Sequence, residues 1–139
     1  MIIADTSGLL ALFDRDDQAH VRVDALLATG SPTLVVSPFV LAELDHLVVS
    51  RVGVDEEVAM LQAITGGRFE LAPFDREDLV AATTVITRYR DQAIGVTDAS
   101  LLVLADRYRT DRILTLDERH FRVLGPLAGG SFRILPADA

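Results

Sequence analysis

The sequence predicts a three-layer α/β/α domain with a mainly parallel central sheet of about five strands. Short apolar segments typical of strands recur along the chain, and segments with helical periodicity fill the intervals between them. Strands that alternate with helices form parallel sheets covered on both faces. The 139 residues are half apolar, without a linker or an internal repeat, and are expected to form one domain over residues 1–139.

The predicted strands are Ile2 to Ala4, Thr33 to Val36, Phe69 to Leu71, Arg112 to Thr115 and Phe132 to Leu135. Amphipathic helices are predicted around Val54 to Ile64 and Leu79 to Tyr89, and we interpret both as scaffold. Gly66-Gly67 and the segment from Gly125 to Gly130 are predicted loops.

A helix is predicted to begin directly after the second strand. Ser37 can cap it, and Pro38 suits its first position. Helical spacing then places one acid, Glu43, on the same face as Phe39, Val40, Leu44 and Leu47. Glu43 is therefore expected on an apolar stripe and not on the solvent side.

Three aspartates share this unusual placement beside apolar sequence. Asp5 ends the first strand, Asp117 follows the fourth, and Asp98 begins a helix whose core-facing stripe holds Leu101, Leu102 and Ala105. In open α/β sheets, ligands bind outside the carboxyl ends of the strands. Asp5, Glu43, Asp98 and Asp117 are therefore expected to converge there, with the hydroxyls of Thr6, Ser7 and Thr115 beside them.

Each acid also has a structural explanation. Asp5 and Asp117 suit the capping position of a following helix, and Asp98 suits the dipole of a first helical turn. Glu43 could pair with an arginine. Together, however, four carboxylates without cationic partners repel one another, and hard divalent cations such as Mg²⁺ compensate that repulsion.

The chemistry that fits this group is metal-dependent attack by water on a phosphate ester. One or two Mg²⁺ ions, or Mn²⁺ as a substitute, suit four carboxylates. The net charge of −8 has the wrong sign for a general nucleic-acid binder. Five arginines nevertheless cluster around Asp117, either as a solvated face or as a grip on a polyphosphate backbone: Arg107, Arg109, Arg112, Arg119 and Arg122.

Missing residue types exclude other chemistries. Without lysine, a P-loop, a Schiff base and a response-regulator receiver are excluded, and without cysteine there is no thiol nucleophile or disulfide. A phosphatase of the haloacid dehalogenase type needs a second aspartate where Ser7 stands, and also a lysine. His20, His46 and His120 lack metal-ligand spacing and are interpreted as surface or packing residues.

No apolar segment approaches the roughly 20 residues that span a bilayer, and the chain begins without the pattern of a signal peptide. We therefore expect a soluble cytoplasmic protein.

Four short motifs, in order, resemble those of PIN-domain ribonucleases, and in particular the VapC toxins of bacterial toxin–antitoxin pairs. They are Ile2-Ile3-Ala4-Asp5-Thr6-Ser7, Ser37-Pro38 with Glu43, Thr97-Asp98-Ala99, and Thr115-Leu116-Asp117 with His120-Phe121. The resemblance covers nearly the whole chain.

The resemblance implies a PIN-like fold and a magnesium- or manganese-dependent endoribonuclease that inhibits translation. Asp5 and Asp98 would be the principal metal ligands, and Glu43 and Asp117 would complete the site directly or through water. It also implies a transfer or ribosomal RNA substrate, a cognate VapB antitoxin and a homodimer. A catalytically silent domain that uses the pocket only to bind a partner stays open as the alternative.

Overall fold

The computed structural model describes all residues 1–139 and contains one five-stranded sheet. Its strands are β1 (Ile2–Ala4), β2 (Leu34–Val36), β3 (Phe69–Leu71), β4 (Arg112–Leu114) and β5 (Arg133–Leu135). Their order is β3-β2-β1-β4-β5, and all neighbouring pairs are parallel. The predicted sheet is confirmed and is parallel throughout, although Thr33, Thr115 and Phe132 lie just outside the strands.

Seven α-helices surround the sheet. They are α1 (Thr6–Phe13), α2 (His20–Ala28), α3 (Pro38–Arg51), α4 (Val54–Ile64), α5 (Arg76–Arg88), α6 (Val96–Arg107) and α7 (Glu118–Val123). α1 packs against α2 and α3, α3 packs against α4, and α5 packs against α6. Every residue of β1 and β2 is buried, as expected for strands covered on both faces. None of the helices combines the length and apolar character that a membrane crossing requires.

α3 begins where the sequence predicts. The Ser37 hydroxyl accepts a hydrogen bond from the backbone N–H of Phe39, and Pro38 occupies the first helical position. The buried stripe of α3 consists of Val40, Leu44 and Val48, at intervals of four residues.

The strand order places a crevice at the carboxyl ends of β1 and β4. From β1 the chain moves to β2 and β3 on one side, and it then returns to β4 and β5 on the other. Such a reversal of strand order is the usual ligand-binding position of an open α/β sheet.

Gly8 allows α1 to begin close against β4 at this crevice. A Cβ atom at position 8 would lie 2.7 Å from the carbonyl oxygen of Leu114 and 2.6 Å from its side chain. Only glycine therefore fits at this point of contact, and the contact holds the residues after β1 beside those after β4.

Candidate active site

Asp5 is the central carboxylate of the crevice. It directly follows β1 and is only 9% exposed. Its Oδ2 accepts hydrogen bonds from the hydroxyls of Thr115, at 2.7 Å, and Ser7, at 3.1 Å. Although Asp5 stands at the capping position of α1, its side chain makes no capping hydrogen bond. The helix-capping explanation therefore does not account for this carboxylate.

The electrostatic surroundings of Asp5 oppose its ionisation. Burial raises its pKa above the ordinary value, and repulsion from the nearby Asp98 carboxylate raises it further. Hydrogen bonds from Thr115, from the backbone of Thr6 and from Ser7 lower the pKa and only partly offset the effect of burial. No arginine forms an ion pair with Asp5. The fold thus maintains a buried acid whose negative charge has no cationic partner.

Glu43 reaches the same crevice from α3. Its Oε2 accepts a hydrogen bond from Thr6 Oγ1 at 3.0 Å, and its Oε1 accepts one from Thr97 Oγ1 at 2.9 Å. The expected burial on the apolar stripe is wrong, because Glu43 is an exposed residue beside the stripe of Val40 and Leu44. Its carboxylate instead bridges α1 and α6, and no arginine pairs with it.

Asp98 lies in the first turn of α6, and its carboxylate is held by a histidine. His120 Nε2 is 2.9 Å from Asp98 Oδ2, a hydrogen bond that requires a proton on Nε2. The predicted burial of Leu101, Leu102 and Ala105 is confirmed, but it is not confined to one stripe, because every residue of α6 from 99 to 105 is buried. The interpretation of His120 as a surface or packing residue is incomplete: its ring packs against Phe121, and it also contacts one of the four candidate acids.

A buried pair of serines joins the two helices that carry Glu43 and Asp98. Ser37 Oγ and Ser100 Oγ lie 2.7 Å apart, and both residues are fully buried. The Ser100 hydroxyl also bonds the carbonyl oxygen of Thr97 at 2.6 Å. This pair fixes the start of α3 against the start of α6, and it therefore fixes the positions from which the two acids extend.

Asp117 differs from the other three acids. Its Oδ1 accepts a hydrogen bond from the backbone N–H of His120 and caps α7, as its structural explanation requires. Its own N–H donates to Thr115 Oγ1, the same hydroxyl that donates to Asp5. Asp117 thus borders the crevice, and its backbone and not its carboxylate contributes to holding Asp5.

The oxygen donors around the crevice are not arranged as a finished metal site. No group of three or more His, Asp or Glu side chains surrounds a single point in this structure. The donors present are carboxylates and neutral hydroxyls, the type that hard cations such as Mg²⁺ and Mn²⁺ prefer.

The five clustered arginines do not form one surface. Arg107, at the end of α6, contacts Asp78 and donates to the carbonyl oxygen of Pro73. Arg122 on α7 forms two hydrogen bonds with the Asp138 carboxylate, at 2.6 and 2.9 Å. The residues are close in sequence but divided in space, because α6 carries the chain away from the crevice before β4 returns to it. Arg119 is exposed on α7, Arg109 lies before β4, and Arg112 is the first residue of β4.

Two polar residues in direct contact with the acids had no predicted role. Thr97 was detectable, because it precedes Asp98 in the first turn of the same helix. His120 was not detectable by metal-ligand spacing, because its partner Asp98 lies 22 positions away on another helix.

Comparisons with known proteins agree with this fold. The family model described as "PIN domain" matches residues 2–125. The chain is 50% identical over 135 residues to ribonuclease VapC26 of Mycobacterium tuberculosis, an alignment that covers 97% of this chain and all of that protein.

Two crystal structures share the fold at low sequence identity. The M. tuberculosis toxin VapC20, described as cleaving the sarcin–ricin loop, matches with a TM-score of 0.78 at 21% identity, over 86% of this chain and 92% of VapC20. A structure of VapBC2 from Rickettsia felis, bound to a promoter DNA fragment, matches with a TM-score of 0.64 at 20% identity, over 88% and 92% of the two chains.

This chain therefore belongs to the PIN domain family. The resemblance to VapC-type ribonucleases that its motifs indicate is confirmed by the 50% identical relative.

Proposed function

We propose that this protein is a metal-dependent endoribonuclease, the toxin of a VapBC-type toxin–antitoxin pair, and that it inhibits translation by hydrolysing RNA phosphodiesters. The observation that carries the proposal is the state of Asp5. This carboxylate is buried beside a second carboxylate, it caps no helix, and it has no cationic side chain as a partner. Burial of an uncompensated charge is costly, and a bound divalent cation removes that cost.

Asp5 and Asp98 are the proposed principal ligands of Mg²⁺, for which Mn²⁺ is a substitute. Glu43 and Asp117 would contribute directly or through water. When bound, the cation supplies the Lewis acidity that activates water and stabilises the charge of the phosphodiester.

The protein's own residues orient these acids. Thr115 and Ser7 fix one oxygen of Asp5. Thr6 and Thr97 each fix one oxygen of Glu43. Hydroxyl partners hold a carboxylate in place without neutralising it, so its charge stays available to a cation.

The proposed substrate is a transfer or ribosomal RNA, and the proposed partner is a cognate VapB antitoxin. Supporting observations are the ribonuclease name of the 50% identical relative and the VapBC complex among the structures that share the fold. We place the protein in the cytoplasm, where such RNAs are found. The homodimer implied by the family resemblance stays a prediction.

Substitution on a single helix tests the catalytic assignment. Asp98→Asn should reduce the cleavage of total RNA after induction of the gene by roughly a hundredfold or more. The reason is that loss of a residue that only orients a ligand already costs about 10- to 100-fold, and Asp98 is a proposed ligand itself. Asp106→Asn, at an exposed position on the same helix, is the matched control and should cleave normally. Circular dichroism checks that both variants fold.

Chelation tests the metal. EDTA should abolish cleavage, and added Mg²⁺ or Mn²⁺ should restore it. Cleavage that persists in EDTA would contradict the metal dependence. Undiminished cleavage by folded Asp98→Asn would instead favour the alternative, a domain whose pocket only binds a partner.

A further inference from the structure

We infer that Arg22, Arg112 and Arg133 form a phosphate-binding groove that holds the RNA chain beside the position of cleavage. The inference rests on the proposed function and extends it, because it states where the phosphates that flank the scissile bond would bind. The three residues come from α2, β4 and β5, and two of them are absent from the arginine cluster that is visible in the sequence.

The groove consists of two adjoining cavities. One, of about 430 Å³, reaches Thr115, the residue that holds Asp5, and is also lined by Arg22, Pro136 and two acids, Asp17 and Glu118. The other, of about 550 Å³, shares Arg22 and Pro136 and continues between α2 and β5 to Arg112 and Arg133. The groove thus adjoins the crevice through Thr115, and none of the four candidate acids lines it.

The second cavity is unusually positive for a chain with a net charge of −8. Three arginines line it and no Asp or Glu side chain does, although the C-terminal residue Ala139 also lines it. None of the three forms an ion pair. Arg133 Nε donates to the backbone carbonyl of Asp138 at 3.4 Å, while the carboxylate of that residue is bound by Arg122. The guanidinium groups thus remain available to an anion.

The strand register also favours a bound anion. Arg112 and Arg133 are direct partners across β4 and β5. Like charges in this position destabilise a sheet, and an anion between them relieves the repulsion. A charged side chain on an edge strand prevents that edge from pairing with another chain, and this role alone would explain Arg133 on β5. It does not explain Arg112 on the interior strand β4, or Arg22 on a helix.

The largest cavity of the molecule, of about 800 Å³, is lined by side chains of both charges, unlike the second cavity of the groove. Arg107 and Arg109 line it, but so do Asp106 and Asp111, and Arg107 is also paired with Asp78. Its charges balance internally. The second cavity of the groove differs because no acidic side chain balances its three arginines, and it adjoins the cavity that reaches Thr115.

An acidic segment of a partner protein would carry a similar charge, but the continuity with Thr115 favours the substrate. Arginine forms two parallel hydrogen bonds with a phosphate, and each phosphate contact on a single strand contributes about 0.7 to the dependence of binding on salt.

Steady-state cleavage of a single-stranded RNA oligonucleotide, taken from the sites mapped in total RNA, tests the groove. The variant with Arg22→Gln, Arg112→Gln and Arg133→Gln should raise KM on the order of tenfold and leave kcat within about threefold. The slope of log(kcat/KM) against log salt should fall by about two. Arg51→Gln, at the exposed end of α3 and outside both cavities, is the matched control and should change neither value.

Stability supplies an independent measurement. Arg112→Gln should not lower the melting temperature, because it removes a like-charge contact. A clear fall would assign Arg112 to the fold and overturn its role in the groove.

The outcomes distinguish a failure of the proposed function from a failure of the phosphate-binding groove. If the wild type does not cleave RNA at all, the proposed function and the groove both fail. If the wild type cleaves and the triple variant keeps the same KM and salt slope, only the groove fails. Lost binding of a co-expressed antitoxin with unchanged KM would likewise overturn it, and would assign the groove to an acidic segment of that partner.

Discussion

Asp5 and Asp138 are carboxylates that follow strands of the same sheet, yet their pKa values move in opposite directions. Burial raises the pKa of Asp5, which has only neutral hydroxyl and amide donors and a second acid nearby. The Arg122 guanidinium lowers the pKa of Asp138 to about 2, with help from the backbone N–H of Ile134. Neither effect can be inferred from the residue type.

The difference separates acids that stabilise the fold by pairing with arginine from acids whose charge stays available to a cation. Asp78 and Asp138 are paired with arginines at exposed positions. Asp5 and Glu43 are held only by uncharged partners, so their charge is not neutralised within the protein. The chain has enough arginine to pair with them and does not do so, which is the physical mark of the candidate active site.

The largest expected difference between the two acids is in catalysis. Asp5→Asn should reduce RNA cleavage to background, because it removes the charge that attracts the cation. Asp138→Asn should keep kcat/KM within about threefold, since that carboxylate only binds Arg122. Both are measured on the same RNA in Mg²⁺. Equal loss in the two variants would remove the functional distinction between them.

A smaller effect is expected when only the orientation of an acid is changed. Thr97→Val removes the hydroxyl that holds Glu43 Oε1, and kcat/KM should fall about 10- to 100-fold. Thr97→Ser keeps the hydroxyl and should recover most of the activity. Thr87→Val is the control, because that hydroxyl bonds only within α5. If valine and serine behave alike at position 97, the hydroxyl does not position Glu43.

The smallest effect is on the stability of the metal-free protein. Because the pKa of Asp5 is raised, the ionised carboxylate destabilises the fold above that pKa, and the cost disappears below the ordinary aspartate pKa. At neutral pH in EDTA, Asp5→Asn should raise the melting temperature by a few degrees, and the gain should vanish in acid.

Asp138→Asn should have the opposite sign in the same experiment. The lowered pKa of Asp138 stabilises the fold above the ordinary aspartate pKa, and that contribution is lost as the pH falls towards about 2. Asp138→Asn should therefore lower the melting temperature at neutral pH. A lower melting temperature for Asp5→Asn at neutral pH would make Asp5 a structural residue after all.

Most of the fold was predictable because its signals are local. The strand β1, the start of α3 at Ser37-Pro38 and the bounds of α4 depend on apolar runs, capping chemistry and periodicity, each of which is readable within a few residues. The parallel order of the strands followed from their alternation with helices.

The partners of the site residues were not predictable in the same way. Glu43 was expected to be buried, but its long side chain extends from the margin of a helix to hydroxyls on two other elements. His120 meets Asp98 only because α6 and α7 both begin at the crevice. The arginines closest in sequence to Asp117 are divided among three surroundings, and Arg22 approaches the crevice from a distant segment. These contacts depend on tertiary geometry, which residue spacing does not record.

The contact between Gly8 and Leu114 has a consequence for genetics. In a selection for cells that survive induction of this gene, inactivating changes are expected at Asp5 and Asp98. Substitutions at position 8 should be recovered among the survivors as well, because even an alanine there would collide with the backbone of Leu114 at the end of β4. A glycine without any chemistry of its own would then rank with the acids in a map of intolerant positions.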